Sequence, residues 1–366
     1  MNGGGFCGSY RPDDVRFLLK RLPQQPFVEI AQKEQLIQSG TCHYSEMLSP
    51  EVLPSARYLQ IFKDATRSNR QQMARDCLSL AALIALRRTG PITLVSLVRA
   101  GTPVGVILKH LLQRVLGRQV NHYSVSIIRD RGIDQVALEH ILAQGHAPES
   151  IVFVDGWTGK GVIARVLKQA VCEFNQRHKL AIDGGLYVLS DLAGAAVCAA
   201  SSHDYLIPSS ILNATVSGLV SRSVLNDAIG PQDFHGCVYY DAFEAHDQSR
   251  QFADAVIADG VALAERDGIP AAVPVDRVAV AGISSDFLLT AMAQHGIADV
   301  NMVKPGIGEA TRVLLRRVPR LLILRDPDAA DVAHLRLLAA EKSVPIITNA
   351  NLPYQAVSLI RSALDG

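Results

Sequence analysis

No stretch of the 366-residue chain approaches the ~20 consecutive apolar residues that cross a bilayer. The most apolar runs, residues 78–86 and the alanine-rich 193–200, stop far short, so no membrane span is predicted. The opening Met1-Asn2-Gly3-Gly4-Gly5-Phe6 holds neither a basic n-region nor an apolar h-region, and no export signal is expected. Charge of one sign is lacking too. Lys and Arg number 36 against 35 Asp and Glu, a net +1, which excludes a global field that would recruit nucleic acid or an anionic membrane and leaves such binding to a local patch. Only 19% of residues are charged while 48% are hydrophobic, which excludes extended disorder. Paired cysteines are also absent. Cys7, Cys42, Cys77, Cys172, Cys198 and Cys237 are widely spaced with no C-x-x-C, a pattern that suits reduced thiols in a cytoplasmic protein better than a disulfide frame or a zinc site.

What is present is α/β grammar on a chain long enough for two domains at roughly 100–200 residues each. Residues 1–90 read as mainly helical, over 13–22 and 56–88, with Pro50 and Pro54 marking a turn between them. From Pro91 the pattern becomes strand, glycine-containing turn, helix: strand 92–98 and helix 104–116, strand 122–128 and helix 135–144, strand 151–154 and helix 162–178. Residues 186–189 form a fourth strand and 204–206 begin a fifth. Such alternation predicts a mostly parallel sheet with its ligand outside the carboxyl ends of the strands. A helical stretch over 242–266 leads to Asp267-Gly268-Ile269-Pro270, the clearest boundary, which divides the chain into domains 1–268 and 275–366. The second reads as a small αβα unit with strands at 278–281, 300–303, 321–324 and 345–347 and helices at 308–317 and 329–341.

The sharpest motif is Asp155-Gly156-Trp157-Thr158-Gly159-Lys160-Gly161, an apolar strand ending in an acid and then a glycine-rich turn that opens a helix. It offers backbone N–H groups and a helix N-terminus to a phosphate, with Thr158 and Lys160 as side-chain donors and Asp155 as a candidate contact for ribose hydroxyls or a magnesium ion. A P-loop is excluded, because only two residues separate Gly156 from Gly159-Lys160 and Gly161 follows. The plainer reading is a tight turn whose glycines serve geometry alone. Arg99-Ala100-Gly101-Thr102-Pro103 is a second anion-binding candidate, and Arg129-Asp130-Arg131 lies in a third turn on the same sheet edge.

These strings, with Gly8-Ser9-Tyr10, His43-Tyr44-Ser45-Glu46-Met47 and Ser217-Gly218-Leu219-Val220-Ser221-Arg222, make nearly the whole chain resemble a known family. This is the type I phosphoribosyltransferase-like family of tellurite-resistance-associated biosynthetic operons, also called StiP and in places named a cysteine protease, whose members often carry a C-terminal Pelota-type RNA-binding domain. The resemblance implies an α/β fold with a sheet of phosphoribosyltransferase type. It implies that Asp155, Gly156, Thr158, Gly159, Lys160 and Gly161 hold the 5-phosphate and ribose of phosphoribosyl pyrophosphate, and that Arg99, Ala100, Gly101 and Thr102 hold its pyrophosphate. Arg129, Asp130 and Arg131 become a flexible hood, and magnesium accompanies the substrate. One departure is that Gly156 stands where the wider phosphoribosyltransferase motif has a second acid. The expected activity is phosphoribosyl transfer, or work on a related phosphosugar or nucleotide, in a stress-linked nucleoside pathway.

Two other readings stand beside it. One is a cysteine peptidase, with Cys42 or Cys7 as nucleophile and His43 at hand. The other is a non-catalytic sensor of nucleotide and RNA. In the C-terminal unit the resemblance implies RNA contact through Lys304, Gly306, Gly308, Glu309 and Arg312, with Gly308 where the Pelota turn carries Asn. From residue 304 to 325 six basic residues face one acid, Glu309, a local excess of charge suited to phosphates.

Overall fold

The computed structural model describes residues 5–24, 28–49, 51–271 and 273–361. The chain begins with strands β1 (Arg16–Leu18) and β2 (Lys20–Leu22), helix α1 (Ile30–Gln38) and the long helix α2 (Ala56–Arg87). The helix expected over 13–22 is therefore two short strands. The cluster Val15, Phe17, Leu18, Leu19 fits both periods, and the sheet decides: Phe17 and Leu19 face one core layer while Leu18 faces the other.

Then come β3 (Ile92–Leu97), α3 (Gly101–Arg114), β4 (Val120–Val125), a small hairpin of β5 (Ile127–Ile128) and β6 (Gly132–Ile133), and α4 (Gln135–Ala143). They are followed by β7 (Ile151–Thr158), α5 (Val162–His178), β8 (Leu186–Asp191) and β9 (Cys198–Ser201). Six strands form one parallel sheet in the order β1-β4-β3-β7-β8-β9. Its faces separate by the strand period. Ile92, Leu94, Val152 and Val154 pack under α2 and α3, whereas Val95, Leu97, Ile151 and Phe153 pack under α4 and α5. The fifth strand expected at 204–206 lies instead at β9, inside the alanine-rich run; residues 204–206 are irregular.

Strand β10 (Gly236–Val238) pairs with β2, and α6 (Ser249–Asp267) lies beside α2 and α3. The helix expected from 242 starts later, after a 3-10 turn over Asp241–His246.

The C-terminal part comprises α7 (Arg277–His295), β11 (Val303–Pro305), α8 (Ile307–Arg316), β12 (Pro319–Leu324), α9 (Ala333–Glu341), β13 (Ile346–Thr348) and β14 (Ala356–Ile360). Its sheet runs β11-β14-β12-β13, with β14 antiparallel to both neighbours. Three expectations change. The strand expected at 300–303 begins only at Val303, after a 3-10 turn over Val300–Met302. Residues 278–281 belong to α7, started by the Asp276 carboxylate, which accepts the N–H groups of Val278 and Ala279 at 3.1 Å. The wholly buried β14 was not foreseen. Apolar residues of α8, α9 and β12 join the same continuous core as α2 and α3, so the two parts are packed together rather than strung on a linker.

In the main sheet β4 lies on one side of β3 and β7 on the other. This reversal of strand order opens a crevice beyond the carboxyl ends of β3 and β7.

Candidate functional site

That crevice is a cavity of about 210 Å³ whose wall includes Arg99, Arg222, Arg312 and Arg316 against a single carboxylate, Asp155. Arg99 follows β3 and is only 8% exposed. Its Nη1 donates to Glu51 at 2.6 Å and to the carbonyl of Val220 at 3.0 Å, while Nε and Nη2 are buried without a partner. The hydroxyls of Ser209, Ser210 and Ser223, on the same wall, are buried and unpartnered as well. Burial pushes the Arg222 guanidinium down to about 10 and that of Arg316 to about 9, the latter helped by the like charge of Arg99. Asp155 is pushed up to about 6 by burial, against the pull of Arg312.

The residues expected to bind phosphate take varied places. Strand β7 does not end at Val154 but runs through Thr158, so Asp155 and Trp157 project from a strand end and Gly156 lies in the sheet. Thr158 Oγ1 accepts the N–H of Gly161, which caps α5 at a φ of +68°. Gly159 lies against the second part of the chain, where an added Cβ would meet the Pro305 carbonyl at 2.8 Å. Half-buried Lys160 donates to the carbonyl of Val300; burial and Lys304 push it down to about 7. Gly101 packs on β7, with room for no Cβ beside the Val154 carbonyl, and Thr102 bonds Ser124 Oγ at 2.7 Å inside the fold. Ala100 lines the cavity beside Arg99.

Arg129, Asp130 and Arg131 form the tip of the β5–β6 hairpin, which is stitched to residues 43–46. The N–H of Arg129 donates to Tyr44 Oη at 2.8 Å, and Arg131 pairs with Glu46. Arg222 clamps the same segment from within, donating to the carbonyls of Tyr44 and Met47. His43 caps the 3-10 turn Tyr44–Glu46, its Nδ1 2.8 Å from Ser45 Oγ, while its Nε2 is buried and unpartnered. In the sequence Arg222 stands only at the end of Ser217–Arg222, and local pattern gives it no role. Its signal is a half-buried cation reaching two backbone carbonyls 175 or more positions away in sequence.

Cys42 precedes this capped turn and is partly exposed, as is Cys7, whose sulfur contacts the carbonyl of Gly8. Among the described residues no cysteine sulfur is hydrogen-bonded to a histidine nitrogen. Burial raises Cys77 far above the thiol range, Cys198 to about 11 and Cys237 to about 12, which leaves Cys7, Cys42 and exposed Cys172 as the thiols open to chemistry.

The residues expected to meet RNA face inward. Arg312 stacks over Trp157, 4.5 Å from the ring centroid, and pairs with Glu309 at 2.7 Å. A Cβ on Gly308 would stand 2.4 Å from Trp157 Cε2. Gly306, at a φ of +90°, packs on Leu192 and Asp204, and Lys304 and Glu309 line a second cavity of about 290 Å³ that continues the first. Burial opposes ionisation of Glu309, but Arg312, Lys304 and Lys160 together hold its pKa below the usual range.

Residues 8–257 match the family described as tellurite-like stress resistance cysteine protease StiP, and residues 283–362 match the PELOTA RNA binding domain. The chain is 42% identical over 369 residues to a protein of Acinetobacter baylyi named Cysteine protease StiP, covering 98% of this chain and 94% of the relative. The chain belongs to the StiP family. Both StiP names are those of a cysteine protease, and they overturn the expectation of a phosphoribosyltransferase, together with the transferase class that went with it. Asp155 stands as one carboxylate among the guanidiniums of the crevice, and the described residues hold no cluster of three or more His, Cys, Asp or Glu placed to share a metal. Among the described residues no helix is long and apolar enough to cross a membrane.

Proposed function

We propose that this chain is a cysteine peptidase that uses Cys42 as its nucleophile and the imidazole of His43 to take the thiol proton. The observation that carries this reading is the clamping of residues 44–47 by Arg222, Arg129 and Arg131, which fixes a partly exposed thiol and a capped imidazole next in sequence to Tyr44, a residue of the crevice wall. Nδ1 accepts the N–H of Ser45 in the cap and lies 2.8 Å from Ser45 Oγ, and Nε2 is the ring nitrogen left without a protein partner. Burial and the neighbouring Arg131 lower the pKa of His43, so at pH 7 the ring is neutral, the form that acts as a base. The names of the family and of the Acinetobacter baylyi relative support the same class. In the reaction the thiol proton passes to His43, sulfur bonds the substrate carbonyl carbon, the amine leaves with that proton, and water then cleaves the thioester.

Hydrolysis of a fluorogenic casein by the purified chain, with and without an alkylating thiol reagent, tests the reading. Cys42→Ser is expected to abolish turnover, His43→Gln to lower it by about 10²–10⁴-fold, and Cys7→Ser to leave it intact. Turnover that survives Cys42→Ser and dies in Cys7→Ser would move the nucleophile. Turnover insensitive to alkylation and to all three substitutions would remove the peptidase reading.

A further inference from the structure

A second cavity opens beside the crevice and shares Leu212, Arg222 and Arg316 with it. It is a groove of about 710 Å³, against about 210 Å³ for the crevice. Its walls come from the segment that follows the clamped turn, from residues 211–215, and from α8 and α9, which contribute Leu315 and Leu338. The polar groups on these walls are already engaged. Lys33 donates to Ser49 Oγ at 3.2 Å, Tyr58 Oη donates to the carbonyl of Ile211 at 3.1 Å, and Glu51 accepts from Arg99 at 2.6 Å and from the N–H of Ala214 at 3.3 Å. Arg316 donates to the side-chain carbonyl of Asn213. Three carboxylates and four cations line the groove, so nothing in it calls for a charged ligand. Its apolar surface is what lacks a partner. Val52 is 82% exposed and Leu53 37%, while Leu48, Tyr58, Leu212 and Leu338 of the same groove are buried. Apolar side chains held in water beside an apolar wall gain from any like surface that covers both.

We propose that this groove seats a large apolar side chain, of the leucine or phenylalanine kind, from the peptide that the crevice holds. The inference rests on the peptidase reading for the fate of that peptide; the groove alone chooses the side chain. Continuity with the site decides for a substrate. Tyr44 lines the crevice and Leu48 lines the groove. The stretch between them follows directly on Cys42 and His43 and is held by Arg222 through the carbonyls of Tyr44 and Met47. A peptide lying along this segment passes from one cavity into the other. Apolar walls with a few fixed polar groups select by shape and hydrophobicity. A carboxylate or an ammonium group would lose its hydration there and find the polar groups of the wall already bonded. Because Leu315 and Leu338 belong to the C-terminal part, that part helps to set which peptides are cut.

The test uses two short fluorescein-labelled peptides, identical except that one carries leucine and phenylalanine where the other carries serine and asparagine. Their binding to the full chain bearing Cys42→Ser is read by fluorescence anisotropy, and the same pair, internally quenched, is offered to the unaltered chain for cleavage. The apolar peptide is expected to bind about tenfold more tightly than its polar twin. Val52→Asp and Leu53→Asp are each expected to remove most of that preference while leaving the polar peptide unaffected. Should Leu53→Asp fail to fold, Val52→Asp, at the more exposed position, carries the test alone. Equal affinity for the two peptides, or a preference that the folded variants leave intact, would overturn the proposal whether or not casein is cut. An apolar peptide bound through the groove but never cleaved would uphold the groove and remove the peptidase reading. A chain that sediments as a dimer, and as a monomer after Leu53→Asp, would give the groove to a second copy and overturn the proposal as well.

Discussion

The carboxylate of Asp204, in the irregular segment after β9, accepts the backbone N–H of Ile307 at 2.9 Å and that of Gln355 at 2.8 Å. Ile307 opens α8, and the residue before it is Gly306, which has no side chain to cap the helix. The first turn of α8 is thus capped by the other part of the chain. Asp204→Ala leaves two N–H groups without their acceptor and is expected to destabilise the fold by about 2–5 kcal/mol, measured by urea unfolding.

The same residue gives a pH signature. Burial raises the Asp204 carboxyl to about 6, above the ~3.9 of an unfolded chain. The folded state therefore holds the proton more tightly, and this contribution to stability is fullest below about pH 4 and is lost as pH rises through 6. Relative to Asp204→Asn, the wild type should gain about 1.4 kcal/mol per unit between pH 6 and pH 4. A difference between the two proteins that stays flat over that range would show that the carboxyl is not raised.

His122 predicts the opposite slope. It is buried, with Nδ1 2.9 Å from the Asp14 carbonyl and Nε2 2.8 Å from Ser96 Oγ, and burial pushes it down to about 3. The carbonyl requires a proton on Nδ1, and burial keeps Nε2 unprotonated at neutral pH, so the ring is neutral there. A depressed histidine contributes stability above about pH 6.5 that is lost as pH falls, at about 1.4 kcal/mol per unit. His122→Gln should be less stable at pH 7.5 and show a shallower acid slope; parallel stability curves for the two would refute the assignment.

Gly308→Ala tests the seat of the second part of the chain. The new methyl would have to displace the Trp157 ring, an overpacking expected to cost about 1–3 kcal/mol. Because the ring carries Arg312 on its face, its emission should shift together with the stability. Unchanged emission and stability would mean that the two surfaces are not in contact in solution.

Thiol accessibility gives a fifth check. Brief alkylation of the native chain, read by mass spectrometry, should mark Cys7, Cys42 and Cys172 and spare Cys77, Cys198 and Cys237 until denaturant is added. Rapid native labelling of any of the last three would contradict the packing around α2, β9 and β10.

The elements easiest to read from sequence were those with one period and clear ends. The helix expected at 162–178 is α5, residue for residue, with Gly161 at its start and Lys179 in the left-handed region at its end. The strand at 92–98 and the helix at 56–88 were legible for the same reason. Ambiguity arose where a short apolar cluster satisfies both periods, as at 13–22, or where β-branched residues sit inside a helix, as Val278 and Val280 do in α7. Trp157 could be read as a turn residue because the extension of β7 depends on its pairing with Ser190 in β8, a partner that local pattern cannot name. The arginines were visible as charge, but their convergence depends on two parts of the chain meeting. Asp204 carried no local signal at all, since its partners lie 103 and 151 positions away.

The cap on α8 also bears on how the C-terminal part should be handled. A fragment cut near residue 275 would lose Asp204 and would begin its basic helix with unanswered amides, while Trp157 no longer covered Gly308. Such a fragment would offer to nucleic acid a surface that the intact chain keeps folded away. Its affinity for RNA would measure the cut, and only the whole chain can report what that helix does at home.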